Sequence, residues 1–351
     1  MLSMRIARSP LTEAEYSAIL AEYNRLTGGR IPLQEFIRWV AESPEGPAWH
    51  AILETDEGRI VGHTSVFPIR AGSNGSRKVT AKSEYSFMHE DFRKEKISGC
   101  EKTGRPPFIT LLDTLFQHCH ANGWGPIFAS TNEKNQVFTR KVGLRPMELP
   151  VCECLLVLRP WAAAAETPNL SRMQRIALFV AGLLHGALAP FATWLLSRGH
   201  QVESAEVKEE LPDGDASRLN FFNDPESLEW RYIRGQYAKL RLRAEPGSYV
   251  IVKRGSNDRY VRVCQWQLLS ESAFAPLFAA LVELARNDKA LGVRWAVYED
   301  GESSARLIAR MRRLGLLCAN RSRIVMVHKN HEQYLDPALW RMNDSLFSFD
   351  P

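Results

Sequence analysis

No two of the six cysteines in this 351-residue chain form a CxxC pair. They are Cys100, Cys119, Cys152, Cys154, Cys264 and Cys318. Cys152 and Cys154 stand two apart, as on one face of a strand, which suits a buried strand better than a zinc knuckle, so no metal is expected. Without a disulfide framework, a reduced, cytoplasmic protein is the simplest expectation. MLSMRIARSPLTEAEY holds no apolar core of signal-peptide length, and secretion is not expected. Strong charge is also missing. The formal net charge of +5 permits an anionic partner but demands none. The chain has no sharp basic face or reading module, so no nucleic-acid role is expected.

What is present is a globular composition, 45% apolar and 10% aromatic, in a chain long enough for two ordinary domains. Residues 12–27 place Ile19, Leu20, Tyr23 and Leu26 at helical spacing before the stop signal Gly28-Gly29. A short helix fits Leu33 to Ala41. Alternation then predicts a hairpin, PAWHAILET and RIVGHTSVFPIRA, around the turn Asp56-Glu57-Gly58. VTAKSEYSFMHEDF is a third strand, 107–122 a helix, GPIFAST a strand, NEKNQVFTRKVG a helix, and 150–158 a strand. A crossover helix makes the strands before and after 107–122 parallel neighbours.

From about Phe221 the same order returns: a hairpin (SYVIVKRG and RYVRVCQWQLL), a helix at 273–287, the strand VRWAVYED, a helix closed by Gly315, and the strand RIVMVHK. The halves read as diverged copies of one unit. Their bounds are 1–160, a linker at 161–215, and 216–351. Within the linker, residues 176–196 form a 21-residue apolar run with Gly182-x-x-x-Gly186 but also Pro190. A helix buried between the halves is the favoured reading. A peripheral membrane contact and a true span are the alternatives, and the span would separate halves expected to pack together.

Three stretches carry a resemblance. GRIVGHTSVFPIR is similar to a "griVGh" strand, HEDFR at 89–93 to "HPDYR" at the end of a central strand, and NDPESLEWRY at 223–232 to "RDxxxLxWRY". With the element order, they resemble the GNAT N-acetyltransferase superfamily, and within it bacterial tandem GNAT proteins often associated with cell-surface polysaccharide genes. The resemblance implies an α/β fold of two tandem mixed-sheet domains, acetyl-CoA as co-substrate, and an amine acceptor on a sugar, polysaccharide precursor or small molecule.

It also implies sites. A pyrophosphate needs several backbone N–H groups converging at a helix N-terminus. The family pattern (Q/R)-x-x-G-x-(G/A) has two incomplete registers here. One starts at Arg93 and puts Lys96 at the glycine; the other starts at Glu101 and keeps Gly104. The second is favoured, with Lys94, Lys96 or Lys102 adding charge. The candidate cofactor residues are Met88, Arg93, Lys96, Lys102, Thr103, Gly104, Arg105, Asn132 and Asn135. A basic, solvated surface loop is the plain alternative. The candidate bases are Glu84, His89, Glu90 and Asp91; strand alternation puts Glu84 and Glu90 on one face and His89 and Asp91 on the other.

The pattern's acid, a Tyr four residues before the glycine closing the second helix, falls on Thr139 here and on Met311 in the second half. An acyl-CoA-dependent N-acyltransferase with a non-catalytic second copy is therefore the expected function. An inactive tandem scaffold and a Fem-like aminoacyl transferase are its rivals. Trp230 is expected as a core anchor with Arg231 salt-bridging beside it, and ARMRRLG as a solvated helix face.

Overall fold

The computed structural model describes residues 1–73, 76–98, 104–130, 133–166, 171–180, 182–184, 201–205, 207, 218–221, 223–232, 236–254, 260–299 and 301–340. Lys102, Thr103, Asn132 and residues 181 and 185–196 of the apolar run lie outside them, as does the side chain of Asn135.

The first half runs β1 (Leu2–Arg8), α1 (Glu13–Thr27), α2 (Leu33–Ala41), β2 (Trp49–Thr55), β3 (Ile60–Ser73), β4 (Ser76–Met88), α3 (Pro107–Ala121), β5 (Ile127–Ser130), α4 (Glu133–Lys141) and β6 (Leu144–Val157). Local chemistry sets these bounds. Thr12 and Glu15 form a capping box at the start of α1, and Gly28 at φ 72° closes it. Tyr16, Ile19, Leu20 and Tyr23 form the buried stripe of that helix. The expected strand order holds, with β4 and β5 parallel. β1, not anticipated from the sequence, adds an antiparallel edge on β2.

After α5 (Pro160–Glu166) come β7 (Val202–Ala205), β8 (Asn220–Phe221), α6 (Pro225–Arg231), β9 (Tyr237–Leu242), β10 (Tyr249–Lys253), β11 (Tyr260–Gln267), α7 (Phe274–Asn287), β12 (Gly292–Tyr298), α8 (Glu302–Arg313) and β13 (Leu317–His328). The repeated order seen in the sequence is real. β11 and β12 are parallel, as β4 and β5 are.

The thirteen strands among the described residues belong to one sheet, ordered β1-β2-β3-β4-β5-β13-β6-β12-β11-β10-β9-β7, with β8 on β3. The final strands of the halves are exchanged. β13 of the second half pairs with β5 of the first, and β6 of the first pairs with β12 of the second. β6 and β13 pair with each other antiparallel from Leu144↔His328 to Leu155↔Leu317. Each half thus closes its sheet with a strand made by the other.

In the first half, α1 and α2 cover one sheet face around Tyr16, Phe36, Trp39, Phe67, Tyr85 and Phe87. α3 covers the opposite face around Leu111, Leu115, Phe116, Val66 and Ile127. In the second half, α7 and α8 pack Leu277, Leu281, Leu307 and Met311 onto Val293, Trp295 and Val297.

Trp230 is a core anchor, as expected, but its core is that of the first half: it lies 4.6 Å from the Trp39 ring and donates Nε1–H to the Arg38 carbonyl at 3.1 Å. Arg231 is buried and donates to Asn223 Oδ1 at 2.9 Å. Of the apolar run, only residues 176–180 and 182–184 are described, and these are partly buried. Residues 172–180 and 182–184 are helical, and Leu178 is buried beside Val157, Ala163, Tyr260 and Leu291. Ile176, Val180, Leu183 and Leu184 are about half exposed, because α5 supports one side of the turn and the other faces solvent among the described residues. No described helix is long and apolar enough to cross a membrane.

Candidate functional site

β4 carries the geometry on which the candidate site is built. Its pairing with β3 runs regularly to Ser65↔Glu84 and resumes at His63↔Phe87, so Tyr85 and Ser86 together oppose Thr64. This is a β-bulge, and Tyr85 sits in it at φ 54°, an uncommon backbone for a bulky residue. The bulge flips the parity of the strand. Lys82 lies opposite Phe67 on the α1/α2 face, yet Tyr85 and Phe87 also face that core. The Tyr85 ring is held edge-on between Tyr23 and Phe36, at 5.4 and 4.7 Å.

On its other edge, β4 meets β5 only at Ala81↔Ile127 and Lys82↔Phe128. Among the described residues the ladder between the two strands ends there. The stretch Ser83–Met88, past the end of that ladder and beside the bulge, is the wedge of the candidate site.

A buried hydrogen-bond relay ends at this bulge. His63 Nδ1 lies 2.8 Å from the Tyr85 carbonyl, His50 Nδ1 3.0 Å from His63 Nε2, and Ser9 Oγ 2.7 Å from His50 Nε2. Tyr16 donates its hydroxyl to Ser9 Oγ at 3.0 Å and accepts Leu11 N–H at 3.0 Å. A carbonyl can only accept, so the direction of every bond is determined. His63 carries its proton on Nδ1, His50 does the same, and Ser9 donates to His50. Both imidazoles are neutral. Burial pushes His63 down to about 4, against the opposing bond to Tyr85. Burial, then the neighbouring His63, holds His50 well below the usual histidine range. Sequence reading passed over both, although His63 is the last residue of GRIVGH; a buried polar pair has no signature in residue spacing.

Among the sequence candidates, Glu84 lies just past the end of the β4/β5 ladder. Its Oε2 is 2.5 Å from Nζ of Lys82, whose side chain is wholly buried. Lys82 was not anticipated. An ion pair this well removed from water holds the carboxylate at the wedge. Strand alternation does not reach the other three candidates, because β4 ends at Met88. Glu90–Phe92 form a 3₁₀ turn capped by His89, whose Nδ1 accepts Asp91 N–H at 3.3 Å. His89 is buried, with Nε2 3.7 Å from Glu22 Oε1, while Glu90 and Asp91 are exposed. Burial opposes Glu22 ionisation, but the Arg25 guanidinium beside it, the larger effect, holds its carboxyl below the usual range.

The loop residues divide. Met88 is buried against Gly62 in the α3-side core. Arg93 closes the 3₁₀ turn, exposed. Lys96 is exposed, but its backbone is committed: its carbonyl accepts Leu2 N–H at 3.1 Å, and Ser98 N–H donates to the Leu2 carbonyl at 2.8 Å. Ile97 between them is buried. In the other register, Gly104 has φ 62°, and an added Cβ there would meet nothing within 4 Å. Arg105 follows, half exposed, with Nη1 2.9 Å from Asp113 Oδ2. Pro106 and Pro107 then open α3, so Phe108 carries the first amide of that helix.

In α4, Thr139 Oγ1 donates to the Gln136 carbonyl at 3.0 Å, and Phe138 and Val137 are exposed. The second half has a similar wedge: β11 and β12 pair only over Tyr260–Val263 and Gly292–Trp295. A 3₁₀ turn, Glu271–Ala273, replaces the long loop there.

No family model and no curated protein matches the sequence. Solved structures do match the fold. A probable N-acyltransferase from Enterococcus faecalis superposes with TM-score 0.57 at 9% identity, over 93% of this chain and 73% of that one. A tandem GNAT protein from the clavulanic acid biosynthesis pathway gives TM-score 0.54 at 13% identity, over 93% of this chain and 98% of that one. A GCN5-related N-acetyltransferase from Anabaena variabilis gives 0.50 at 10% identity, over 92% and 72%. The fold is GNAT-like. More narrowly, it is the tandem form, two GNAT-like units in one chain.

Proposed function

We propose that the chain is an acyl-CoA-dependent N-acyltransferase, acetyl by default, working in the β4/β5 wedge of its first half. The observation that carries this is the end of the ladder between the two parallel strands beside the Tyr85 bulge, with Glu84 just past it. The thioester supplies the electrophilic carbonyl. Glu84, directly or through a water, takes the proton of the attacking amine. The new C–N bond forms as the C–S bond breaks, and that proton ends on the departing thiolate. His89 at the wedge rim, with Glu90 and Asp91, is the alternative base. The Gly104-Arg105 loop and the first amide of α3 hold the pyrophosphate, with Lys94, Lys96 or Lys102 adding charge. Asn132 and Asn135 serve the pantetheine arm. The acceptor is an amine on a sugar, a polysaccharide precursor or a small molecule, and the second half shapes its site.

A second reading, a scaffold without activity, is favoured by Thr139 in place of the acid and by the two prolines that thin the amides at α3. A thermal-shift series with CoA, dephospho-CoA and ATP, followed by thiol release from acetyl-CoA over an amine panel, decides. A ligand at 100 times its Kd adds about 2.7 kcal/mol to the folded state. No shift at saturating CoA supports the scaffold.

A further inference from the structure

Where the exchanged strands cross, three thiols meet. Cys152 and Cys154 lie two apart on β6 and face the α8 side of the sheet. Cys318, near the start of β13, is the direct cross-strand partner of Cys154, and Asn320 that of Cys152. The Sγ atoms of all three cysteines lie within 4.8 Å of one another, with Cys152 and Cys154 3.8 Å apart. Thiolates 2.3 Å from a tetrahedral ion stand about 3.8 Å from each other, which is the separation of Cys152 and Cys154, and Cys318 lies within 4.8 Å of both. Cys152 and Cys154 are buried and Cys318 is partly exposed, which gives an entry path from solvent.

The charge is also provided for. Arg312 of α8 reaches over the cluster, with Nη2 4.0 Å from Cys152 Sγ and 2.7 Å from Asn320 Oδ1. A divalent ion with three thiolates carries one negative charge, and the guanidinium beside it neutralises that charge. An all-sulfur donor set selects soft d¹⁰ cations over magnesium or calcium.

We propose that Cys152, Cys154 and Cys318 form a thiolate site for one soft d¹⁰ metal ion, zinc(II) in the first instance, tying the last strand of each half to the other. Binding displaces the three thiol protons to solvent and changes no oxidation state. Three protein ligands leave a fourth position for water on the side of Cys318. The spacing Cys152-x-Cys154 gives no hint of this, because the third ligand is supplied by a strand from the other half.

The test is a titration of the intact, reduced protein with cadmium(II) and, in competition with a chromophoric chelator, with zinc(II). One equivalent should bind with a cadmium–thiolate charge-transfer band in the ultraviolet, which histidine sites do not give, and with proton release. Cys318→Ser, at the partly exposed position, should abolish the band while the far-ultraviolet circular dichroism is unchanged. Cys264→Ser, buried elsewhere, should leave it intact. Arg312→Met should weaken binding by roughly tenfold. A Cys154–Cys318 disulfide in the purified protein, or three free thiols that take up no metal, would overturn the proposal. So would a band that survives Cys318→Ser.

Discussion

The Nδ1–H of His63 is donated, at 2.8 Å, to the carbonyl of Tyr85, a residue whose backbone sits in the left-handed region. A bulky residue there is held against its own preference, and this bond is part of what holds it. His63→Leu leaves the Tyr85 carbonyl and the His50 Nδ1–H buried without partners, each at about 1–3 kcal/mol. The expected loss is about 2–6 kcal/mol in urea unfolding. A loss of only a few tenths would show that the ring packing of Tyr23 and Phe36 suffices for the bulge.

The same pair makes stability depend on pH with a definite sign. His63, pushed down to about 4 in the folded chain, takes up a proton on unfolding anywhere between there and the ordinary histidine value of 6.5. The unfolded state then binds more protons, so stability rises with pH through that window and levels off above it. His50 shifts in the same direction. For His63 the full span is worth about 3 kcal/mol. Chemical unfolding from pH 4 to 7 should show the slope in the parent, reduced in His63→Leu.

Lys82 and Glu84 separate catalysis from stability. Glu84→Gln should cost both, because the buried ammonium loses its carboxylate. Adding Lys82→Met removes the stranded charge and should restore most of the melting temperature. Acyl transfer should stay down by about 10²–10⁴-fold if Glu84 is the base. Recovery of turnover along with stability would assign the proton transfer to His89 or another group.

For the loop, Gly104→Val meets no clash but is forced into a backbone that β-branched residues avoid. The expected result in calorimetry is weakened CoA binding with an unchanged fold. Arg105→Ala should cost about 1–3 kcal/mol as a lost charge-assisted bond. If Lys96→Glu is instead the severe change and Gly104→Val binds CoA like the parent, the cradle lies in the other register.

Much of this architecture was legible in the residues. Alternation and helical spacing located the two repeats, because each element carries its own period. Trp230 announced itself as an anchor by size. What escaped were relations between distant parts. Nothing in VCECLLVL or RIVMVHK says which neighbour each strand takes, since a buried strand flanked on both sides presents the same apolar run to any partner. The bulge at Tyr85 breaks the alternation used to place Glu90 and Asp91, and no glycine marks it. His50 and His63 are thirteen residues apart on adjacent strands, and only the register of β2 and β3 brings their rings together. Cys318 is likewise meaningful only beside Cys154.

The strand exchange has a consequence for the order in which the chain can be built. β5 finds its second neighbour in β13, with Val325 against Ser130, roughly 195 residues later in synthesis. Until those residues leave the ribosome, the edge of β5 has no partner and β6 has neither of its own. An unpaired strand edge on a nascent chain is a template for wrong pairing. The first unit is thus synthesised first but closed last, and its folding waits on the translation of the second.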